Sequence, residues 1–109
     1  SMFEETECYK KLQEMEKATP KQLLSMSSAF RMEINVAIRE AFIDVMANLE
    51  KCCPALTNDD LFYCVLSLMH CSNRVIIELM NVSSDALKMR KSRIKGKLRE
   101  DIFKYIYLD

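Results

Sequence analysis

The stretch that decides the fold runs from Leu56 to Leu98 and reads LTNDDLFYCVLSLMHCSNRVIIELMNVSSDALKMRKSRIKGKL. Its punctuation is local. Thr57 followed three residues later by Asp60 is an acidic variant of the capping box, so a helix is expected from Thr57 to about Met69, with Leu61, Val65, Leu66 and Leu68 as its apolar face. His70-Cys71 make a short connection. Ser72 is placed to cap a helix over 73–80 that turns Val75, Ile76 and Leu79 inward. Met80-Asn81-Val82-Ser83 forms a tight turn, and Ser83 caps a further helix over 84–97. In that helix Leu87, Ile94 and Leu98 share one face, and Lys88, Lys91, Ser92 and Lys95 are read as falling away from it.

Charge singles out the same helix. Between Ala86 and Arg99 stand seven cations and no acid: Lys88, Arg90, Lys91, Arg93, Lys95, Lys97 and Arg99. The chain as a whole is neutral, with 16 basic and 16 acidic residues. Residues 1–54 carry a net charge of −2 and residues 55–109 a net charge of +2. Neutral bulk charge argues against indiscriminate polyanion binding, whereas a one-signed block on a helix implies a local anionic partner. A helix, a short turn and a basic second helix together suit a helix-turn-helix, in which one face of the second helix sits in the core and the other is offered to a DNA groove.

Working outward toward the N-terminus, residues 3–17 read as a short amphipathic helix with Phe3, Leu12 and Met15 as its apolar positions and Tyr9 beside them. Thr19-Pro20 reads as an N-cap followed by proline at the first helical position, where its missing N–H costs nothing. One long helix is expected from Pro20 to Lys51, carrying Leu23, Leu24, Phe30, Ile34, Ile38, Ala41, Val45 and Leu49. From Ile34 the apolar steps approach a heptad seam, widened by Phe42 and Met46. A helix of about 30 residues spans about 45 Å, longer than a small domain needs. Self-association through Ile34, Ile38, Ala41 and Val45 is therefore expected, with packing inside one chain as the alternative. A last helical segment, 99–107, carries Ile102, Phe103, Ile106 and Tyr107.

Composition narrows the classes. Apolar residues make up 50% of the 109 residues, while Gly occurs once and Pro twice, which favours an all-α fold with short connections. No apolar run approaches the ~18 residues of a membrane span, and no signal peptide is visible. The five cysteines, Cys8, Cys52, Cys53, Cys64 and Cys71, lack Cys-x-x-Cys spacing, so reduced thiols, a cytoplasmic setting and no metal are expected. His70 is the only histidine, no glycine-rich phosphate loop exists, and Asp59-Asp60 are best read as first-turn helix charges. An enzyme and a cofactor are therefore not expected. Ser1-Met2 reads as a tag remnant, which leaves room for an upstream sensor domain.

The stretch from Leu56 to Leu98 resembles the LuxR-type helix-turn-helix. The matching residues are Leu56-Thr57, Leu66, Ser72-Asn73-Arg74, Ile76, Leu79, Val82-Ser83, Leu87-Lys88, Ile94 and Lys97-Leu98. The segment from Cys52 to Leu68 followed by RKSRIKGKL is most similar to the variant of Bacteroidetes regulators. The chain departs from the family pattern at His70, where the family has Gly, at Val75-Ile76-Ile77, where it has Glu-Ile-Ala, and at Ala86-Leu87, where it has Thr-Val. The resemblance implies an N-terminal helical, coiled-coil-like extension over 1–53 and a four-helix DNA-binding domain over 54–109. It implies a transcriptional regulator that places helix 84–97 in the major groove of double-stranded DNA as a homodimer. Its base-contacting positions fall on Lys88, Met89 and Ser92. Ser83, Arg90, Lys91, Arg93, Lys95 and Lys97 become phosphate contacts, and Ile102, Phe103 and Ile106 of the final helix join the dimer.

Two other readings stand beside this one. Region 4 of a sigma factor also uses helix-turn-helix geometry, attached to RNA polymerase, but no sigma region 2 is recognisable. A helical adaptor would instead meet an acidic protein with its basic helix. Salt-dependent duplex binding separates the adaptor from both DNA readings.

Overall fold

Short polar side chains divide the chain into its helices. The computed structural model describes residues 2–109, apart from the side chains of Phe3 and Glu4. The tag reading of Ser1 and the apolar role expected of Phe3 lie outside the described residues. Eight helices are found among them: α1 (Met2–Lys17), α2 (Pro20–Ser25), α3 (Ser28–Ala41), α4 (Ile43–Cys52), α5 (Asn58–Leu68), α6 (Asn73–Met80), α7 (Ser84–Lys95) and α8 (Glu100–Phe103). Among the described residues there is no strand, so the fold is all-α.

Four of the caps lie where the sequence puts them. Thr19 and Thr57 form reciprocal capping boxes with Gln22 and Asp60. Ser72 and Ser83 accept from Val75 N and Ala86 N. Each satisfies one of the first-turn N–H groups that a helix cannot pair internally. The turns are equally local. His70 and Asn81 adopt φ of 60° and 53°, the left-handed region in which a side chain other than Gly costs about 1–2 kcal/mol.

The single helix expected from Pro20 to Lys51 is three helices. Ser27 caps α3 by accepting from Phe30 N at 3.0 Å, and Met26 before it is extended. This serine competes with the continuing helix for the backbone and ends it. The second break is gentler. Phe42 has φ −113° and ψ 23°, yet Phe42 N still reaches Ile38 O at 3.0 Å and Met46 N reaches Phe42 O at 3.0 Å. The chain folds back accordingly. Its radius of gyration is 13.6 Å and its longest extent 37 Å, against about 13 Å expected for a folded chain of this length.

Helix α5 forms the centre of this fold. It is apolar on every side, and Asp60 to Ser67 are all buried. The face expected for it is corrected at Leu68, which is 38% exposed. Around α5 the core draws Leu12 and Met15 from α1, Ile34 and Ile38 from α3, Val75 and Ile76 from α6, and Leu87 and Ile94 from α7. Residues 1–53 and 54–109 thus share one hydrophobic cluster. Polar staples reinforce it: Arg31 meets Glu78 at 2.6 Å, and Asn35 donates to Leu79 O at 3.0 Å.

The C-terminal helix expected over 99–107 shrinks to α8. Beyond it the backbone runs along α5, where Tyr107 N donates to Ser67 Oγ at 2.7 Å and the buried Tyr63 hydroxyl donates to Tyr107 O. Those captured backbone groups cannot also serve a helix, and Ile106 and Leu108 enter the core instead.

Candidate nucleic-acid interface

Three residues connect α6 to α7, and the two helices are in contact. The inward face of α7 is set by Leu87 and Ile94, 3% and 0% exposed. The seven cations around that face have very different surroundings.

Lys91 is the clearest correction. The sequence reading placed it outward with Lys88 and Lys95, but it is 5% exposed. At 100° per residue it lies only about 40° from Leu87 and so belongs to the inner face. Its ammonium donates to Asn73 Oδ1 at 2.8 Å and to Asp109 O at 3.1 Å, and stands 5.1 Å from the centre of the Tyr107 ring. Burial pushes the Lys91 ammonium below its ordinary value, against the opposing pull of Asp109. A lysine so enclosed is not presented to a phosphate.

Arg90 and Lys97 turn to one side and converge on Asp60 of α5. Arg90 Nη1 lies 2.7 Å from Oδ1 and Lys97 Nζ 2.7 Å from Oδ2. Burial pushes the Asp60 carboxyl up, but the hydrogen bonds from Lys97, Thr57 and Arg90 more than reverse this and leave it below the usual carboxylate value. Arg99 is engaged locally, with Asp101 at 2.9 and 2.7 Å. Lys95 is exposed and touches Asp109 at 3.3 Å. Among the described residues, Lys88 and Arg93 have no charged or hydrogen-bonded partner.

The outward arc of α7 is thus smaller than the charge block suggests. It presents Ser84, Asp85, Lys88, Met89, Ser92, Arg93 and Lys95. The three base-contact candidates, Lys88, Met89 and Ser92, are all exposed, and Met89 is 61% so. Of the phosphate-contact candidates, Arg93 and Lys95 face outward. Ser83 is exposed too, but its hydroxyl accepts from Ala86 N at 3.1 Å. Arg90, Lys91 and Lys97 have internal partners.

The expected dimer positions divide in the same way. Ile34, Ile38 and Ile106 are 1%, 0% and 5% exposed within the single chain, so these three do not form a surface seam. Ala41 and Ile102 are partly buried against the core, while Val45 and Phe103 are exposed. The heptad steps of α3 therefore record packing on α1 and α6. The large apolar side chains of α3 and α4 that do reach the surface are Met32, Val36, Ile43 and Val45.

Asp60, Asp109, Asn73 and Tyr107 shape the interface without having been singled out as site residues. For Asp60 the sequence did hold a signal, since its capping position was visible, but its partners 30 and 37 residues away were not. Elsewhere the described residues include no group of three or more His, Cys, Asp or Glu side chains that could hold a metal ion. Burial pushes the Cys64 and Cys71 thiols up to about 12, which keeps them protonated at neutral pH. No described helix is long and apolar enough to cross a membrane. In comparisons with protein-family models, curated proteins and solved structures, the chain matched none of them.

Proposed function

We propose that the chain is a DNA-binding module of a transcriptional regulator, which lays the outward arc of α7 in the major groove. Lys88, Met89 and Ser92 meet base edges, and Arg93 and Lys95 meet phosphates. The observation that carries this reading is the selective exposure of α7. Arg90, Lys91 and Lys97 are engaged within the fold, whereas Lys88, Arg93 and Lys95 stand outward on the helix that follows the turn. A solvated face with no role does not require the other cations to be gathered away from it. The resemblance of residues 56–98 to the LuxR-type helix-turn-helix supports the same reading, including the position of the base contacts.

With about three cations toward the DNA, one chain binds weakly. Two copies on half-sites about one helical turn apart supply the remaining affinity, as in other helix-turn-helix dimers. A second reading, a protein-interaction module, draws on the exposed Met32, Val36 and Ile43.

The test is Lys88→Ala, measured against a duplex selected from a random pool and against a random duplex. Lys88 on a base edge predicts a loss of about 1–3 kcal/mol on the selected site and a smaller loss on random DNA. Equal losses reassign Lys88 to phosphate, and no duplex binding by the wild type at about 50 mM salt leaves the interaction-module reading in its place.

A further inference from the structure

We propose that Asp60 is a positioning residue for the α7 interface: by holding Arg90 and Lys97 it fixes the rotation of α7 about its own axis and keeps both cations off the DNA, so that base contacts rather than phosphate attraction decide where the chain binds. The proposal rests on the DNA-binding reading above and adds to it the element that sets specificity.

The carboxylate is built to hold still. It is 2% exposed and occupies the third position of α5. Oδ2 accepts from Thr57 N at 2.9 Å, and Asp60 N donates back to Thr57 Oγ1 at 3.1 Å. The capping box therefore orients the group before α7 reaches it. Both oxygens then receive cations from the α7 side, Arg90 at Oδ1 and Lys97 at Oδ2, each at 2.7 Å. Arg90 lies within α7 and Lys97 just beyond its end, so one fixed group holds the helix from its side and at its C-terminal exit.

This restraint matters because α7 is lightly anchored by apolar contacts. Leu87 and Ile94 are its buried hydrophobic residues, and the buried Lys91, tied to Asn73 and Asp109, lies on the same side. The inner face alone therefore leaves the opposite flank of α7 without a hold. Outer side-chain atoms lie about 5–6 Å from a helix axis, so a 20° roll moves them about 2 Å, enough to break a hydrogen bond to a base edge. The lateral hold on Arg90 and Lys97 opposes that roll. It also removes two flexible cations from the nonspecific term, which depends on how many phosphates are neutralised.

The experiment compares the intact wild type with Asp60→Asn and Lys97→Gln. Asparagine places an NH₂ donor where Thr57 N or a cation now donates, so the clamp must open. Binding to the selected and the random duplex is followed by fluorescence anisotropy across a salt series. Residual dipolar couplings of the α7 amides give the orientation of α7 relative to α5 without DNA. For Asp60→Asn the proposal expects tighter binding to random DNA, a salt slope steeper by about 1–2 as two cations are freed, and a selected-to-random ratio reduced at least tenfold. The α7 couplings depart from those of the wild type. Lys97→Gln keeps the Arg90 contact and shows a smaller loss of discrimination with no steeper slope. A merely structural role lowers stability and weakens both duplexes alike, with the slope and the couplings unchanged, and that result overturns the proposal. If the wild type binds no duplex, the DNA reading falls, and unchanged α7 couplings in the variants overturn the clamp separately. If Asp60→Asn does not fold, the couplings of Lys97→Gln and Arg90→Gln decide in its place.

Discussion

Arg74→Ala strikes the joint between the two halves of the chain. The end of α1 and the start of α6 cap one another. Arg74 Nη1 donates to Ala18 O at 2.6 Å and Nη2 to Glu16 O at 2.7 Å, while the Glu16 carboxylate accepts from Ser72 N at 2.7 Å and from Ser72 Oγ at 2.5 Å. Helix ends leave such carbonyl and N–H groups without intrahelical partners. Hydrogen bonds to charged groups contribute about 1.5–3 kcal/mol each. Two are lost in Arg74→Ala, and the site is only partly buried, so water recovers some of that loss. A destabilisation of about 3 kcal/mol is expected, which at about 4 °C per kcal/mol lowers the melting temperature by about 12 °C. Thermal unfolding followed by far-ultraviolet circular dichroism gives the shift, and amide exchange in α1 and α5 shows whether the halves respond together. With one shared core, protection falls in both helices by the same amount. If α5 keeps its wild-type protection while α1 frays, residues 1–53 are a separable extension and the shared-core reasoning is wrong.

Two further outcomes follow from the same geometry. Ile38 is fully buried in α3, so Ile38→Ala should cost about 2–5 kcal/mol in urea unfolding whatever the protein concentration; a cost that appears only at concentrations where chains associate would return Ile38 to a dimer seam. The Asp60 carboxyl is held below its ordinary value in the fold, so its stabilising contribution is complete above the unfolded value of about 3.9 and drains away as pH falls through the folded one. The melting temperature of the wild type should therefore fall more steeply below about pH 4 than that of Asp60→Asn, and parallel pH profiles would show that Asp60 carries no such linkage.

What could be read from the sequence was chiefly what is encoded within three or four residues. Thr19, Thr57, Ser72 and Ser83 each announce a helix start, and each caps one. Ser27 is a residue of the same kind, but the apolar period runs across it and reads as one helix where three stand. Side-chain partners across the fold were a different matter. Nothing near Arg90 or Lys97 in the chain shows that both reach Asp60, and a run of cations does not say which of them face inward. Lys91 is the exception, because its angular distance from Leu87 already placed it on the buried face. The tail is ambiguous for a related reason. Ile106 and Leu108 look like the apolar face of a helix or like alternate residues of an extended segment, and Tyr63 and Ser67 decide between these by capturing the backbone of Tyr107.

The most direct test of the proposed interface is the salt dependence of binding between one chain and a half-site duplex. If Arg93 and Lys95 meet phosphates while Lys88 meets a base edge, log K falls against log salt with a slope of about −1.8, so affinity drops roughly 12-fold between about 50 and 200 mM. A slope of about −5 or steeper would mean that Arg90, Lys91 and Lys97 leave their internal partners for the DNA. That result, or no binding at about 50 mM, would contradict the interface described for α7.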